Sequence, residues 1–395
     1  MSAQSNAVRF HALDILRGFA VIMMVANHAG LELLNLTETD NSVADAGLFL
    51  SSFAPVLFFF VTGVGYGLNH HKATATGYWL DLLVKASVLV VMERIAHFDA
   101  LWGIDFLTFI AIITIVLSVL RYLRVSSWTI LAAAACLFVF RYALGSRIQQ
   151  LLPLTFITWL LGVQAIDHVS YPASPWLIYP LLGYVIGRQI HQQRMTSRQL
   201  LIRYGGMVAS VALAGVTTMF AVVWLKGQFV LFRWTTVSLD YFLLSLTVLA
   251  VSFALAAAWD LLKGRQVFSI EGIASLLVVP IHYFILKTNW FRWADANDSG
   301  LPLLGVLAVV VVSFVSAQLL SAMMKRVRMN SNQILTCIVI GFAALVCLYL
   351  FHPRMTSWSV DVAVFLMQTA MSYAFLTRPS QVLSSFGGFQ SRQVN

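Results

Sequence analysis

The stretch that decides the fold is ALDILRGFAVIMMVANHAGLE, residues 12–32, an apolar run that contains a few polar side chains. A helix needs about 20 apolar residues to cross the hydrocarbon core of a bilayer, so this run is long enough to span it. Arg17 interrupts the run, Asn27 and His28 lie near its end, and no clean small-x-small cleavage site follows. These features predict a retained first transmembrane helix rather than a cleaved signal peptide.

The composition extends this prediction to the whole chain. Of its 395 residues, 59% are hydrophobic and 10% are charged, whereas roughly a quarter of the residues of a soluble domain are charged. We therefore predict an all-α, polytopic transmembrane helix bundle of about 11–13 spans, with the short apolar segment 150–166 as a re-entrant or interfacial helix. A single transmembrane domain is expected for 1–377, followed by a polar cytoplasmic tail at 378–395. The candidate spans are 12–32, 47–68, 78–95, 102–121, 126–144, 174–188, 204–225, 237–262, 268–287, 300–324, 332–351 and 357–377.

Loop charges predict the orientation of these spans. No Lys or Arg lies between Arg17 and Lys72, whereas the loop 188–203 carries four arginines and no acid. By the positive-inside rule, the loop 188–203 faces the cytoplasm, the loop after the first span faces outward, and both termini are cytoplasmic. The net charge is +9, and the basic residues collect in short loops beside the apolar runs, as in membrane proteins, so we exclude nucleic acid as a partner. The expected location is the bilayer of the bacterial inner membrane.

The three cysteines lie in apolar runs, without C-x-x-C spacing and without a nearby pair of histidines. This pattern indicates neither a zinc site nor a disulfide framework, so we expect buried, inert thiols and no metal cofactor. The residues are Cys136, Cys337 and Cys347.

The polar residues of the first span share one face of the predicted helix. Arg17 and His28 are eleven positions apart, which is nearly three full turns and about 16 Å along the helix axis. Asp14 precedes Arg17 by one turn and can pair with it. Ionisable residues inside spans often mark function, and histidine suits proton transfer near neutral pH. The pattern also fits a structural role, in which Arg17 anchors the helix at the cytoplasmic side and His28 caps its outer end.

The first span resembles the opening of the acyltransferase-3 superfamily, in which an arginine, ten residues and a histidine follow one another as Arg17 and His28 do. Asp14-x-x-Arg17-Gly18-x-Ala20 followed by Met24-Val25-x-Asn27-His28 is also similar to the heparan-alpha-glucosaminide N-acetyltransferase-like branch. Weaker likenesses are FFFVTG at 58–63, YPLLGY at 179–184, and Ser275-Leu276 with His282-Tyr283.

The resemblance implies a membrane enzyme that moves an acyl group, usually acetyl, from a cytoplasmic acyl-CoA such as acetyl-CoA to a carbohydrate or glycolipid at the far face. It implies that His28 is the catalytic residue and that Arg17 helps to hold the donor. Asp14, Asn27 and His282 complete our candidate substrate-binding and cofactor-binding residues. Transfer to oxygen and transfer to nitrogen both stay open.

Two departures from these families bear on the prediction. In the heparan-type enzymes the proposed catalytic histidine lies in the loop after the first span, but 29–46 contains no histidine. This difference favours the acyltransferase-3 interpretation of His28. Some acyltransferase-3 proteins also carry a fused extracytoplasmic esterase-like domain, which here would have to be a separate partner protein. A homo-oligomer stays open.

Other residues in the predicted spans fit structural roles as well as functional ones. His282 could orient an acceptor or relay a proton, but a single histidine on an apolar helix often only hydrogen-bonds to a neighbouring helix. Arg94 is expected to neutralise Glu93 or Asp105. The glycines of the segment 63–67 are expected to allow close helix packing rather than to form a phosphate loop.

Two functional classes follow from these residues. In an acyltransferase, His28 acts as general base on the acceptor or forms a short-lived acyl-imidazole. In a secondary transporter, Arg17, His28 and His282 line a substrate path, although the sequence lacks the paired broken helices that are typical of transporters. Hydrolysis or exchange of acetyl-CoA by the purified protein without a gradient would distinguish the two classes.

The orientation can be tested with single cysteines in a background that lacks Cys136, Cys337 and Cys347. We expect an impermeant thiol reagent on intact cells to label a cysteine at Ser42 and not one at Ser197, because basic loops stay inside. Labelling of the cysteine at 197 from outside would contradict the predicted topology.

Overall fold

A computed structural model gives the three-dimensional arrangement of the chain. The predicted tail and most of the segment 150–166 lie outside the residues that it describes, so the re-entrant helix stays a prediction. Within the described residues the chain is helical apart from turns and one isolated bridge between Ile104 and Val169. The all-α prediction is thereby confirmed. The described residues are 10–33, 42–69, 78–97, 103–151, 159–162, 169–226, 237–262, 268–270, 272–288, 301–326, 331–351 and 356–375.

The first helices follow the apolar runs of the sequence closely. A π-helical turn, Phe140–Leu144, joins α6 to α7, and a short turn at Ser52–Phe53 separates α2 from α3. Pro55 lies in the first turn of α3, where the missing N–H of proline costs nothing. The helices are α1 (His11–Leu33), α2 (Ser42–Ser51), α3 (Ala54–Leu68), α4 (Tyr78–Ala96), α5 (Phe106–Tyr122), α6 (Ser127–Val139) and α7 (Gly145–Leu151).

The remaining helices include the longest of the chain. Pro280 lies inside α12, where it removes one backbone N–H from the helical hydrogen-bond pattern. The helices are α8 (Ala173–Trp176), α9 (Ile178–Gln193), α10 (Ser197–Lys226), α11 (Leu239–Leu261), α12 (Gly272–Lys287), α13 (Leu301–Arg326), α14 (Ser331–Phe351) and α15 (Ser357–Phe375).

Several of these helices have the length and composition of membrane spans. Among the described residues, six stretches are long and apolar enough to cross a bilayer: α1, α2 with α3, α6 with α7, α10, α11 and α13. Helix α5 and parts of α12 and α14 are shorter apolar helices. The chain is therefore an integral membrane protein. The total of about 11–13 spans stays a prediction.

Helix α1 lies in the centre of the bundle, where it contacts α3, α11, α12 and α13. Most of its side chains are buried, including the polar Asp14 and Asn27. At Gly18 a methyl group would overlap the backbone carbonyl of Phe268, so α1 approaches the segment before α12 closely. The helix that carries the candidate site residues is thus held by neighbours on several sides.

Helices α3 and α9 pack against each other through glycines on both helices. A methyl group on Gly63 would overlap the carbonyl oxygen of Pro180, and one on Gly183 would overlap that of Phe60. Gly67 and Gly187 make equivalent contacts one turn further along. The predicted role in close packing is confirmed for Gly63 and Gly67. Gly65 differs, because a methyl group at this position would lie 3.8 Å from Nη2 of Arg17.

The outer surface of the bundle corrects the prediction for the cysteines. Cys136 and Cys347 are exposed rather than buried, and the side chain of Cys337 lies outside the described residues. In a membrane bundle the outer surface meets lipid, which is as apolar as the protein core, so an apolar run does not by itself place a residue inside.

The structure also changes the design of the labelling experiment. Ser197 is 5% exposed and donates a hydrogen bond to Oδ2 of Asp260 at 2.6 Å. A cysteine at 197 would resist a thiol reagent from either side of the membrane. Gln192, in the last turn of α9, is exposed and replaces Ser197 as the position on the predicted cytoplasmic side.

Candidate active site

A cavity of about 170 Å³ lies beside the C-terminal half of α1. It is formed by the last turns of α1 and α4, the start of α5, the turn between α2 and α3, and the middle of α12. The bridge between Ile104 and Val169 brings Ser170 and Tyr171 into its wall. The polar side chains that line it are Asn27, His28, Ser51, Ser52, Glu93, His97, Asp105, Ser170, Tyr171, His282, Tyr283 and Gln368.

His28 and His282 form a direct pair in the wall of this cavity. Nδ1 of His28 lies 2.9 Å from Nε2 of His282, and the two ring planes are inclined by only 22°, with their centroids 5.1 Å apart. Nδ1 of His282 lies 2.7 Å from the carbonyl oxygen of Val278, one turn earlier in α12. His282 is fully buried, and the ring of Tyr283 lies against both imidazoles. The structure thus brings two of the predicted site residues together.

Asn27 lines the same cavity with its carboxamide. Its Nδ2 donates to the carbonyl oxygen of Leu48 at 3.2 Å and to Oγ of Ser51 at 3.1 Å. Its Oδ1 is buried and has no hydrogen-bond partner among the described residues. An unsatisfied buried acceptor costs about 1–3 kcal/mol, so a hydrogen-bond donor that reached this oxygen would recover part of that cost.

The opposite wall of the cavity is charged. Glu93 accepts hydrogen bonds from Arg94 at 2.6 Å and from the backbone N–H groups of Asp105 at 3.2 Å and Thr108 at 2.9 Å. These contacts join the end of α4 to the start of α5, as expected for a buried acid whose charge must be paired. The predicted neutralisation of Glu93 by Arg94 is confirmed. Nε2 of His97 lies 3.4 Å from Oδ2 of Asp105.

Arg17 and Asp14 lie apart from this cavity. Arg17 donates to Oδ1 of Asp14 at 2.6 Å, so the pairing predicted from their spacing is confirmed. The side chain of Arg17 is partly exposed, and neither residue is among those that line the cavity at His28. Arg17 and His28 are eleven positions apart on the helix, which corresponds to about 16 Å along its axis.

Some cavity residues were not predicted to share a site. His97 and Asp105 lie at the ends of neighbouring spans, where polar residues are common, so their position gave no signal. Gln368 is the clearer case, because it is a polar residue within the apolar helix α15. It is 1% exposed, and its Nε2 donates to the carbonyl oxygen of Met92 at 2.9 Å.

The fold and the cavity define a polytopic membrane protein whose helix bundle encloses an imidazole-lined site. The family model described as "Heparan-alpha-glucosaminide N-acetyltransferase, catalytic" matches residues 9–229, more than half of the chain. The chain therefore belongs to this family, which implies a membrane acetyltransferase that acts on carbohydrate. Of the two resemblances in the first span, the heparan-type one is thus confirmed. Neither a curated protein nor a solved structure matches the chain.

The matched residues include only part of the cavity. They contain α1 and the wall from α4 to Tyr171, whereas His282, Tyr283 and Gln368 lie beyond residue 229. The family match therefore does not include His282, the partner of His28.

The pair of His97 and Asp105 generates a prediction about stability and pH. The hydrogen bond to Asp105 raises the pKa of His97. Burial acts to raise the pKa of Asp105, but the contact with His97 outweighs it and lowers that pKa. A histidine whose pKa is raised by folding stabilises the fold below about pH 6.5. This stabilisation is lost as the pH rises through the pKa of the histidine in the folded state. The lowered carboxyl pKa stabilises the fold above about pH 4.

We therefore expect His97→Gln to lower the melting temperature more at pH 5.5 than at pH 8.5. The difference should be about 1–2 °C, since a half-exposed ion pair is worth less than about 1 kcal/mol. Thermal unfolding of the purified protein in detergent measures it. If the substitution lowered the melting temperature equally at the two pH values, the pKa of His97 would not be raised in the folded state.

Proposed function

We propose that the protein transfers an acetyl group from cytoplasmic acetyl-CoA, or another acyl group from its CoA thioester, to a hydroxyl or amine of a carbohydrate or glycolipid. The acceptor would lie at the outer face of the bacterial inner membrane. Family membership supports acetyl transfer to carbohydrate. The charge difference between the loops supports transfer from the cytoplasmic side to the outer face. The observation that carries the proposal is His28, an imidazole in a cavity inside the helix bundle that polar and apolar side chains line together.

In this proposal His28 is the general base. The acceptor gives a proton to the imidazole as its oxygen or nitrogen bonds to the thioester carbonyl carbon. The carbon–sulfur bond then breaks, and the departing thiolate takes the proton from the imidazolium. The products are the acylated carbohydrate and CoA with a free thiol, and the imidazole is restored. An acyl-imidazole intermediate would use the same side chain as nucleophile.

Asn27 would orient the acceptor. Its Nδ2 is engaged by Leu48 and Ser51, which fixes the direction of the carboxamide and leaves Oδ1 to accept a hydrogen bond. Carbohydrates present many O–H groups, and each one can donate to such an oxygen. Because Asn27 and His28 line the same cavity, a group held by Asn27 lies within reach of the imidazole.

Arg17 would hold the phosphates of the donor at the other end of α1. Its contact with Asp14 restricts the guanidinium to one side of the helix, and arginine matches phosphate geometry with paired N–H groups. The separation of about 16 Å suits an elongated donor, with its phosphates near Arg17 and its thioester near His28. The acyl group, and not the whole donor, would then cross the membrane.

The first prediction of this proposal concerns His28. We expect His28→Ala to lower kcat by at least about 100-fold, because a positioned general base contributes about 10²–10⁴ in rate. Release of CoA thiol by purified protein in liposomes, with hexose and hexosamine glycosides as acceptors and no ion gradient, measures it. Mass spectrometry of the acceptor identifies the bond formed.

His191→Ala is the matched control, since His191 is an exposed histidine in the last turn of α9. It should keep wild-type activity. A folded His28→Ala protein with full activity would exclude the catalytic role. Wild-type protein that moves substrate only with a gradient, and never consumes acetyl-CoA, would favour the transporter instead.

The second prediction concerns Arg17. We expect Arg17→Ala mainly to raise KM for acetyl-CoA, because a phosphate contact is present in the ground state and the transition state alike. Arg17→Lys should recover only part of the affinity, since lysine binds phosphate as a point charge. Steady-state kinetics over a range of donor concentrations separates KM from kcat. An unchanged KM in both variants, with normal membrane insertion, would leave Arg17 only an anchoring role.

A further inference from the structure

The carbonyl oxygen of Val278 determines where His282 carries its proton. A carbonyl oxygen can only accept a hydrogen bond, so the nitrogen 2.7 Å from it must donate. That nitrogen is Nδ1 of His282. In a neutral imidazole only one nitrogen carries hydrogen, and Nε2 of His282 is therefore an acceptor with a free lone pair. Complete burial of His282 favours this neutral form.

The same reasoning continues to His28. Nε2 of His282 lies 2.9 Å from Nδ1 of His28, and since it is an acceptor, Nδ1 of His28 must be the donor. A neutral His28 then has no hydrogen on Nε2. This nitrogen has no hydrogen-bond partner among the described residues, and His28 lines the cavity. The chain from Val278 through His282 to His28 thus ends in an unprotonated nitrogen.

We propose that His282 is a positioning residue that holds His28 in the tautomer whose Nε2 is free to take a proton or attack a carbonyl carbon. This inference rests on the proposed function of His28. Both nitrogens of His282 are engaged by the protein, so His282 acts through His28 and does not bind substrate. His282 accepts the hydrogen bond from Nδ1 of His28, as the aspartate of a serine hydrolase triad accepts one from its histidine.

The pair also stabilises the positive charge that forms on His28 during the reaction. When Nε2 of His28 takes the proton of the acceptor, the Nδ1 proton is already shared with Nε2 of His282. That proton stays on His28, because burial keeps His282 neutral. The hydrogen bond from Nδ1 of His28 to Nε2 of His282 then stabilises the positive charge on His28 without a buried carboxylate behind it. When Nε2 of His28 gives its proton to the departing thiolate, both rings are neutral again.

Two variants separate this role from a purely structural one. The amide oxygen of glutamine lies near the position of Nε2 of histidine and can accept from His28, whereas leucine has a similar volume and no acceptor. We expect His282→Leu to lower kcat by at least about 100-fold with KM within about twofold, since a wrong tautomer has cost about 10⁴-fold elsewhere. We expect His282→Gln to recover at least about tenfold over the leucine variant, since the acceptor is retained.

Nitrogen NMR of protein labelled with ¹⁵N in the histidine rings tests the tautomer without any activity. His28→Ala identifies the His28 signals by difference. We expect an unprotonated Nε2 and a protonated Nδ1 on His28 in the wild type and in His282→Gln, and loss of this pattern in His282→Leu. Melting temperatures of the two variants should agree, so that a kcat difference between them reports the hydrogen bond and not the fold.

A protonated Nε2 on His28 in the wild type would overturn the inference. So would a leucine variant with wild-type kcat, or glutamine and leucine variants that are equally inactive at equal melting temperatures. The proposed function can fail separately. If the wild type transfers no acyl group but its ring signals are as expected, the assignment of the tautomer stands and the acyltransferase proposal does not.

Discussion

Hydrocarbon offers no hydrogen-bond partners, so each polar group inside the bundle has to find one in the protein. Arg17 is paired by Asp14 one turn earlier, and Arg94 is paired by its neighbour Glu93. His282, which has no acid beside it among the described residues, uses a carbonyl of its own helix and the imidazole of His28. The charged and polar residues of the spans are thereby tied to fixed positions and fixed orientations.

Two groups that escape this constraint lie together, whereas other buried atoms without a partner, such as Nε of Arg121 and Oγ of Ser313, lie elsewhere among the described residues. Oδ1 of Asn27 and Nε2 of His28 have no partner among the described residues, and both residues line one cavity. Leaving a polar atom unsatisfied costs stability, and folded proteins keep such atoms mainly where they serve function. At this cavity the pairing of polar groups is incomplete, and a bound ligand would complete it.

Close packing makes these positions rigid. Glycines bring α3 and α9 into backbone contact, and Gly18 does the same for α1 near Phe268. Sites on helices are held more accurately than sites on loops, provided that the supporting side chains are locked. His28 meets that condition, since His282 contacts its ring along one edge and Tyr283 lies against it.

The sequence by itself determined the membrane bundle, the first transmembrane helix and the pair of Asp14 with Arg17, because these depend on run length and on the helical period of one segment. It also pointed to His28 through the first-span motif. Only the tertiary structure decided that His28 meets His282, 254 positions away, and that His97 and Asp105 line the same cavity. It also decided that Cys136 and Cys347 lie on the outer surface of the bundle. The helical period tells which residues share a face of one helix, but it does not tell which helices meet. Lipid-facing and core-facing surfaces are equally apolar, so composition cannot distinguish them, and only the packing of helix against helix does.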